Sequence, residues 1–223
     1  MNIEENIFER KRINSEKLLA YGFKLTKGQY LFNTEILNGD FKVSIVVNKD
    51  LKVMGFVKDI MNDEEYLPLR MKNQNGAYVN EVRSAYESLL NDIAKECSEN
   101  LPFVSDQANR ISELIYKKYH IKAGFPWKNG QHKDNGVFRH ADTDKWFGLI
   151  MHISYGLLLK NSDQDKKDVM NLKTKDVNFL SLKKGIYPAY HMNHDKWLSV
   201  VLDESLSDEE VMKLVEASFM ETM

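Results

Sequence analysis

The chain has 223 residues, 43% hydrophobic and 29% charged, with 31 basic against 33 acidic side chains and a net charge of −2. That length allows two small domains or one large one, and the composition is that of a globular protein. Neither half carries a basic excess, which speaks against a strong duplex-DNA binder whose affinity comes from neutralising phosphates; a sum still allows charge gathered on one local face. The longest apolar runs, such as Trp146-Phe-Gly-Leu-Ile-Met151, are too short to span a bilayer. Met1-Asn-Ile-Glu-Glu has neither the basic stretch nor the apolar core of a signal peptide. Cys97 is the single cysteine, so it has no internal disulfide partner, and it reads as a small buried hydrophobe. These features predict a cytoplasmic protein with no membrane partner.

In chain order, the first half reads as a β-meander between two helices. Asn14 or Ser15 caps a short helix over 16–21, ended by Gly22. Tyr30, Phe32, Thr34 and Ile36 alternate with more polar neighbours, Asn38-Gly39 gives a hairpin turn, and Phe41, Val43, Ile45 and Val47 alternate in the next strand. A turn at 48–50 leads to a third strand over 53–60. A fourth over 64–69 is shortened by Pro68. Val82, Tyr86, Leu89, Ile93 and Cys97 recur at helical spacing and predict a long helix near 79–98. Pro102 disfavours helix in the residue before it, so the chain divides into an N-terminal domain over 1–100 and a second domain over 101–223, with no flexible linker between them.

The second half opens with Ser105 as an N-cap and Ala108, Ile111, Leu114, Ile115 and Tyr119 on one helical face. Residues 136–140 and 145–152 form a hairpin around Ala141-Asp-Thr-Asp144. Residues 160–167 are polar and read as a loop, 169–172 as a short strand, and 176–182 as one or two helical turns stopped by Gly185. A second hairpin, 187–192 and 196–202, turns at Asn193-His-Asp195. Ser207-Asp-Glu-Glu210 is a capping box, and Val211, Leu214, Val215, Ser218 and Phe219 form the buried stripe of the last helix.

Chemistry is sparse. The chain has no Gly-rich phosphate loop, no Walker-type motif and no paired Cys-x-x-Cys. Ser181-Leu-Lys-Lys184 matches Ser-x-x-Lys, but without the partner motifs of a serine acyl-enzyme it reads as a solvated helix face. Among His132, His140, His152, His191 and His194 no pair has a zinc spacing; His191 is expected to bond neighbouring backbone and His194 to be a solvated turn residue. Asp142 and Asp144 shape a turn. No nucleophile has a base beside it, so no catalytic residue, metal or cofactor is assigned and an enzyme is the least favoured class. Trp146 and Trp197 each begin the returning strand of a hairpin, just after a lysine. They are either an aromatic–basic platform for bases or core residues, and the core is favoured because tryptophan is seldom left exposed.

Gly136-Val-Phe-Arg139, Lys145-Trp-Phe147, Tyr187-Pro-Ala-Tyr-His-Met-Asn193, Trp197-Leu-Ser-Val200 and residues 207–219 follow in an order and spacing that resemble the YjbR/MmcQ family of α+β proteins. The resemblance spans 105–219, and residues 1–100 resemble an extra N-terminal domain of some longer members. Lys196 stands where such sequences often carry histidine, which argues against a required imidazole there. The fold implied is α+β: an antiparallel meander with flanking helices, then a YjbR-like domain of frataxin-like or double-wing type. Members are often labelled DNA-binding by analogy with phage double-wing domains, and fold alone does not fix function. On that analogy the two hairpins are wings, and Arg139, Lys145, Lys183, Lys184, His194 and Lys196 contact phosphate in a weak nucleic-acid (DNA) binder. The alternative is a non-catalytic module that takes a protein or small ligand in a groove between the domains. Nothing in the chain sets an oligomeric state. Trp197 is expected to be mostly buried against the 211–219 stripe or the 105–119 helix, with truncation costing about 3–5 kcal/mol.

Overall fold

The computed structural model describes residues 2–130 and 132–223. The chain forms two compact units, one ending at Leu101 and the other beginning at Pro102. Among the described residues no helix is long and apolar enough to cross a membrane.

The first unit runs α1 (Ile3–Phe8), β1 (Lys11–Ile13), α2 (Ser15–Tyr21), β2 (Lys24–Thr26), β3 (Gln29–Ile36), β4 (Phe41–Val47), β5 (Val53–Asp59), β6 (Glu64–Glu65), α3 (Ala77–Cys97) and β7 (Ser98–Asn100). Strands β2 to β6 lie side by side in chain order, each antiparallel to the next. β1 and β7 pair separately. Alternation in β4 sets the layer: Phe41, Val43, Ile45 and Val47 point inward and are buried, where they meet Val82, Tyr86, Leu90 and Ile93 of α3. Cys97 is buried in the same core.

Local signals hold where their partners are local. Asn14 Oδ1 accepts from the N–H groups of Glu16 and Lys17, and Gly22 ends α2 at a φ of 118° that favours glycine. The turn at 38–39 is wider than a two-residue hairpin. Ile36 pairs with Phe41, and Leu37, Asn38 and Gly39 all take positive φ. The strand expected over 64–69 stops at Glu65, because Pro68 has no N–H for a ladder, and Leu67–Arg70 form a 3-10 turn instead.

That turn delivers Arg70 to Glu4, which is 3% exposed. Arg70 Nη1 and Nη2 donate to the two Glu4 oxygens at 2.9 and 2.7 Å, Nη2 also donates to the Gly55 carbonyl, and the Tyr86 hydroxyl donates to Glu4. Burial pushes the Glu4 carboxyl up, but these donors outweigh it and hold the group below its ordinary value. Gly55 is required here, since a Cβ would lie 1.7 Å from Tyr86 Oη.

The second unit runs α4 (Asp106–Tyr119), β8 (Gly136–Arg139), β9 (Trp146–Ser154), α5 (Gly156–Leu159), β10 (Lys166–Lys173), α6 (Val177–Leu180), β11 (Ile186–Pro188), β12 (Trp197–Val201) and α7 (Asp208–Thr222). Its sheet has the order β11-β12-β10-β9-β8, antiparallel throughout. Helices α4 and α7 cover one face, where Ile111, Ile115, Val211 and Val215 pack on Phe138, Phe147, Ile150, Leu172, Leu198 and Val200. Ser105 caps α4 through the Ala108 N–H, and Ser207 with Glu210 makes the expected capping box.

Three expectations change. β10 takes in Lys166 and Lys167, which the sequence assigns to a loop. The second hairpin is short on its first side: β11 ends at Pro188. One more backbone bond follows, from the Ala189 N–H to the Trp197 carbonyl at 3.2 Å, and beyond it side chains replace the ladder. Ser199 Oγ accepts the Tyr190 N–H at 3.1 Å, and Asn171 Nδ2 donates to the Tyr190 carbonyl at 2.8 Å. Residues 189–192 therefore form a loop pinned to the sheet rather than a strand, and the expected turn at 193–195 follows, with the Asn193 carbonyl accepting the Lys196 and Trp197 N–H groups at 3.1 and 2.9 Å. Finally, the first hairpin is bulged. Phe138 pairs with Gly148 but Arg139 with Trp146, so Phe147 is an extra residue and shares the helix-covered face with Gly148.

Candidate nucleic-acid interface

Strands β9 and β12 are both antiparallel to β10, so they run the same way. Each begins with a tryptophan and follows a hairpin tip. Both tips, residues 140–145 and 189–196, therefore lie at one end of the sheet. The last residue of β10, Lys173, pairs with Trp197 between them.

This end gathers four of the six cations singled out in the sequence: Arg139, Lys145, His194 and Lys196. Two are committed elsewhere. Arg139 Nη1 donates to both Asp144 oxygens at 3.1 and 2.9 Å, with its guanidinium 5.5 Å over the Trp146 ring. Lys145 Nζ donates to the Met223 carbonyl at 3.2 Å. His194 and Lys196 are exposed. The other two cations do not belong to this end. β11 is antiparallel to β12, with Ile186 opposite Val200, so Lys183 and Lys184 just before it sit at the opposite end of the sheet. There Lys183 pairs with Glu210, and the Lys183 ammonium and the Ser207 N–H hold the Glu210 carboxyl down at about 2.

The tryptophans are neither core nor free. Leu198 and Val200 point into the helix-covered core and Val201 into a second cluster on the other face. Alternation puts Trp197 and Ser199 on that other face with Val201. Trp197 is half-buried, and the expected contact with the α4 and α7 faces is overturned, because those helices lie across the sheet from it. Trp146 is likewise half-buried, seated on the cluster of Val137, Leu149, Met151, Val169 and Val201.

A row of rings crosses this open face, and the sequence reading missed most of it. Trp127 meets Trp146 at 5.9 Å and 90°. It lies 6.3 Å from His132, His132 lies 6.4 Å from His191, and His191 sits 3.9 Å from Tyr190. His191 is thus a ring neighbour in an exposed loop, not the backbone-bonded residue expected. Asn135 Nδ2 lies 3.3 Å from His132 Nδ1. Asn171 and Ser199, both fully buried, hold Tyr190 in the row. The available signal was Trp127 itself, an indole inside a Gly- and Asn-rich loop with no strand or helix to bury it.

Other polar groups in this unit are structural. His152 Nδ1 bonds Asp168 Oδ1 at 2.8 Å, and Asp168 Oδ2 accepts the Ser105 N–H at 2.7 Å, tying the start of α4 to the sheet. Among the described residues no hydroxyl or thiol is hydrogen-bonded to that imidazole. Thr222 Oγ1 donates to the Ser218 carbonyl, so it accepts from His140 Nε2 at 2.8 Å. None of the six cations lines the apolar groove of about 370 Å³ beside α4 at Tyr116, Lys122, Ala123 and Phe125. Among the described residues no three His, Cys, Asp or Glu side chains group as a metal site.

The sequence model of the YjbR family matches residues 116–221, which hold the whole sheet and all but the last residue of α7. The uncharacterized protein YyaQ of Bacillus subtilis is 31% identical over 114 residues, spanning 49% of this chain and 92% of YyaQ. The chain belongs to the YjbR family. A crystal structure of a Pseudomonas syringae protein is 38% identical, covering 51% of this chain and 97% of its own, with a TM-score of 0.48. A solution NMR structure from the same organism is 37% identical, covering 52% and 92%, with a TM-score of 0.46. Within this YjbR unit, Gly136–Arg139, the starts of β9 and β12, residues 187–193 and the last helix are the segments on which the sequence resemblance rests.

Proposed function

We propose that the YjbR unit binds nucleic acid weakly and without sequence preference, through the end of the sheet that carries both hairpin tips. One observation carries this reading: the tips converge at one end, with Lys173 between them and a half-buried tryptophan beside each. Arg139, Lys145, His194 and Lys196 are the contacting residues, and Lys183 and Lys184 are left out because they occupy the opposite end. Charge contributes little. With Arg139 bonded to Asp144 and Lys145 to the Met223 carbonyl, Lys173 and Lys196 are left to neutralise about two phosphates, so log affinity falls with log salt at a slope of about −2 or shallower. The test is a salt titration of labelled DNA against the full chain and a Lys196→Ala variant. Binding at low salt, with a slope reduced by about one in the variant, supports the reading. No binding to duplex or single strands at low salt overturns it.

A further inference from the structure

The ring row on the open face answers a question that the charges leave open: which form of nucleic acid this surface suits. Stacking needs the flat face of a base, and a duplex hides those faces in its own stack. An unpaired strand offers them, and each base stacked on an aromatic side chain strengthens binding by about tenfold. Here Trp146, Trp127 and Tyr190 each rest one side on the Val137–Leu149–Met151 cluster, which fixes them, and keep part of their surface open. His132 and His191 bridge them and are exposed. Lys128, Lys133 and Lys196 flank the row, exposed and in no ion pair among the described residues. A few lysines beside fixed rings complement a flexible phosphodiester strand whose bases turn inward.

We propose that this surface takes single-stranded nucleic acid, laying unpaired bases against the Trp127 and Tyr190–His191 rings, while Trp146, whose ring Arg139 covers, backs Trp127. The inference rests on the nucleic-acid reading above and narrows it to one strand form. A fluorescence titration of the full chain tests it with three probes of about twelve nucleotides: oligothymidylate, a duplex, and an abasic strand with the same phosphates and no bases. Oligothymidylate is expected to bind about tenfold or more tighter than the other two and to quench tryptophan emission. Trp127→Ala lowers oligothymidylate affinity by about tenfold and leaves duplex and abasic binding unchanged, while Trp127→Phe keeps most of it. His191→Ala, at an exposed loop position, gives a second variant if Trp127→Ala melts early; its expected loss is likewise confined to oligothymidylate. If all three probes bind alike and neither alanine variant discriminates among them, base stacking is wrong and the nucleic-acid reading survives without it. If none binds at low salt, the nucleic-acid reading falls and this inference with it.

Discussion

Each unit fastens a stray segment to its sheet with a buried polar cluster, and the two clusters differ in kind. In the first, charge does the work: Arg70 grips Glu4 with two nitrogens, Tyr86 adds a hydroxyl, and α1 is held against β5 and the 67–70 turn. In the second, only neutral groups take part: Ser199 Oγ donates to Asn171 Oδ1 at 2.5 Å, and both hold the backbone of Tyr190. A buried ion pair is expensive to break on one side, because the survivor keeps its charge without a partner. A neutral cluster loses less, since only hydrogen bonds go unmade. The charged cluster therefore secures a whole element, while the neutral one secures a loop whose far side, 193–196, is exposed.

The sharpest way to break the comparison is Arg70→Met, which leaves the Glu4 carboxylate buried without a countercharge, with the Tyr86 hydroxyl as its remaining side-chain donor. It should destabilise the first unit by about 3–5 kcal/mol, and adding Glu4→Leu should recover most of the loss. All three tryptophans lie in the second unit, so tryptophan emission follows that unit alone in a denaturant melt, and circular dichroism follows both. A loss seen by emission rather than dichroism would contradict the assignment.

Asn171→Ala should cost less, about 1–3 kcal/mol, by leaving the Tyr190 carbonyl and the Ser199 hydroxyl short of partners. Hydrogen exchange at residues 189–196 should accelerate while the helix-covered face stays protected. Acceleration spread over the whole unit would show that the cluster holds more than the loop.

Acid separates the clusters reversibly. Glu4 is held below its ordinary pKa in the folded state, so folding favours the ionised form. Its contribution is complete above the ordinary carboxyl range and is lost as pH falls through the lowered value. The Asn171–Ser199 cluster has nothing to titrate and stays indifferent. In Arg70→Met burial dominates and the sign reverses: acid protonates Glu4 and restores stability. Melts of the wild type and the variant across this range check both signs.

The smallest effect is expected at Trp197. Half-burial on the open face gives Trp197→Ala a cost of about 1 kcal/mol, not the 3–5 kcal/mol of a core indole. A larger loss in a urea melt would place the ring deeper than its strand position allows.

What the sequence made legible follows the same division between near and far. The Asn14 cap, the Gly22 stop, the Ser105 cap and the Ser207–Glu210 box are rules about residues at most four apart, and all four appear. β4 was readable from alternation alone. Glu4 was not, because its partners lie 66 and 82 residues away. The loop at 189–192 escaped for a related reason: Asn171 replaces ladder bonds from a strand that no local pattern connects to Tyr190. The six cations were chosen by their nearness to hairpins in the sequence, and strand direction then sent Lys183 and Lys184 to the other end. Trp197 was assigned to a face by an alternation that was right, and to a neighbour that was wrong, since two-sided apolar strands do not say which side the helices take.

The bulge at Phe147 has a consequence for how this hairpin tolerates insertions and deletions. In an ordinary strand, removing one residue inverts every side chain on one side of the cut. Here Phe147 and Gly148 both face the helices opposite Phe138, so deleting Phe147 would leave Arg139 opposite Trp146 and keep Trp146 and Leu149 on the open face. What would vanish is the ring that meets Tyr119, His140 and Phe219, a local loss in the core with no change of phase. Chain length at this one position can shorten by one residue without disturbing the ring row, whereas a deletion at Ile150, three residues on, would turn one side of β9 inside out.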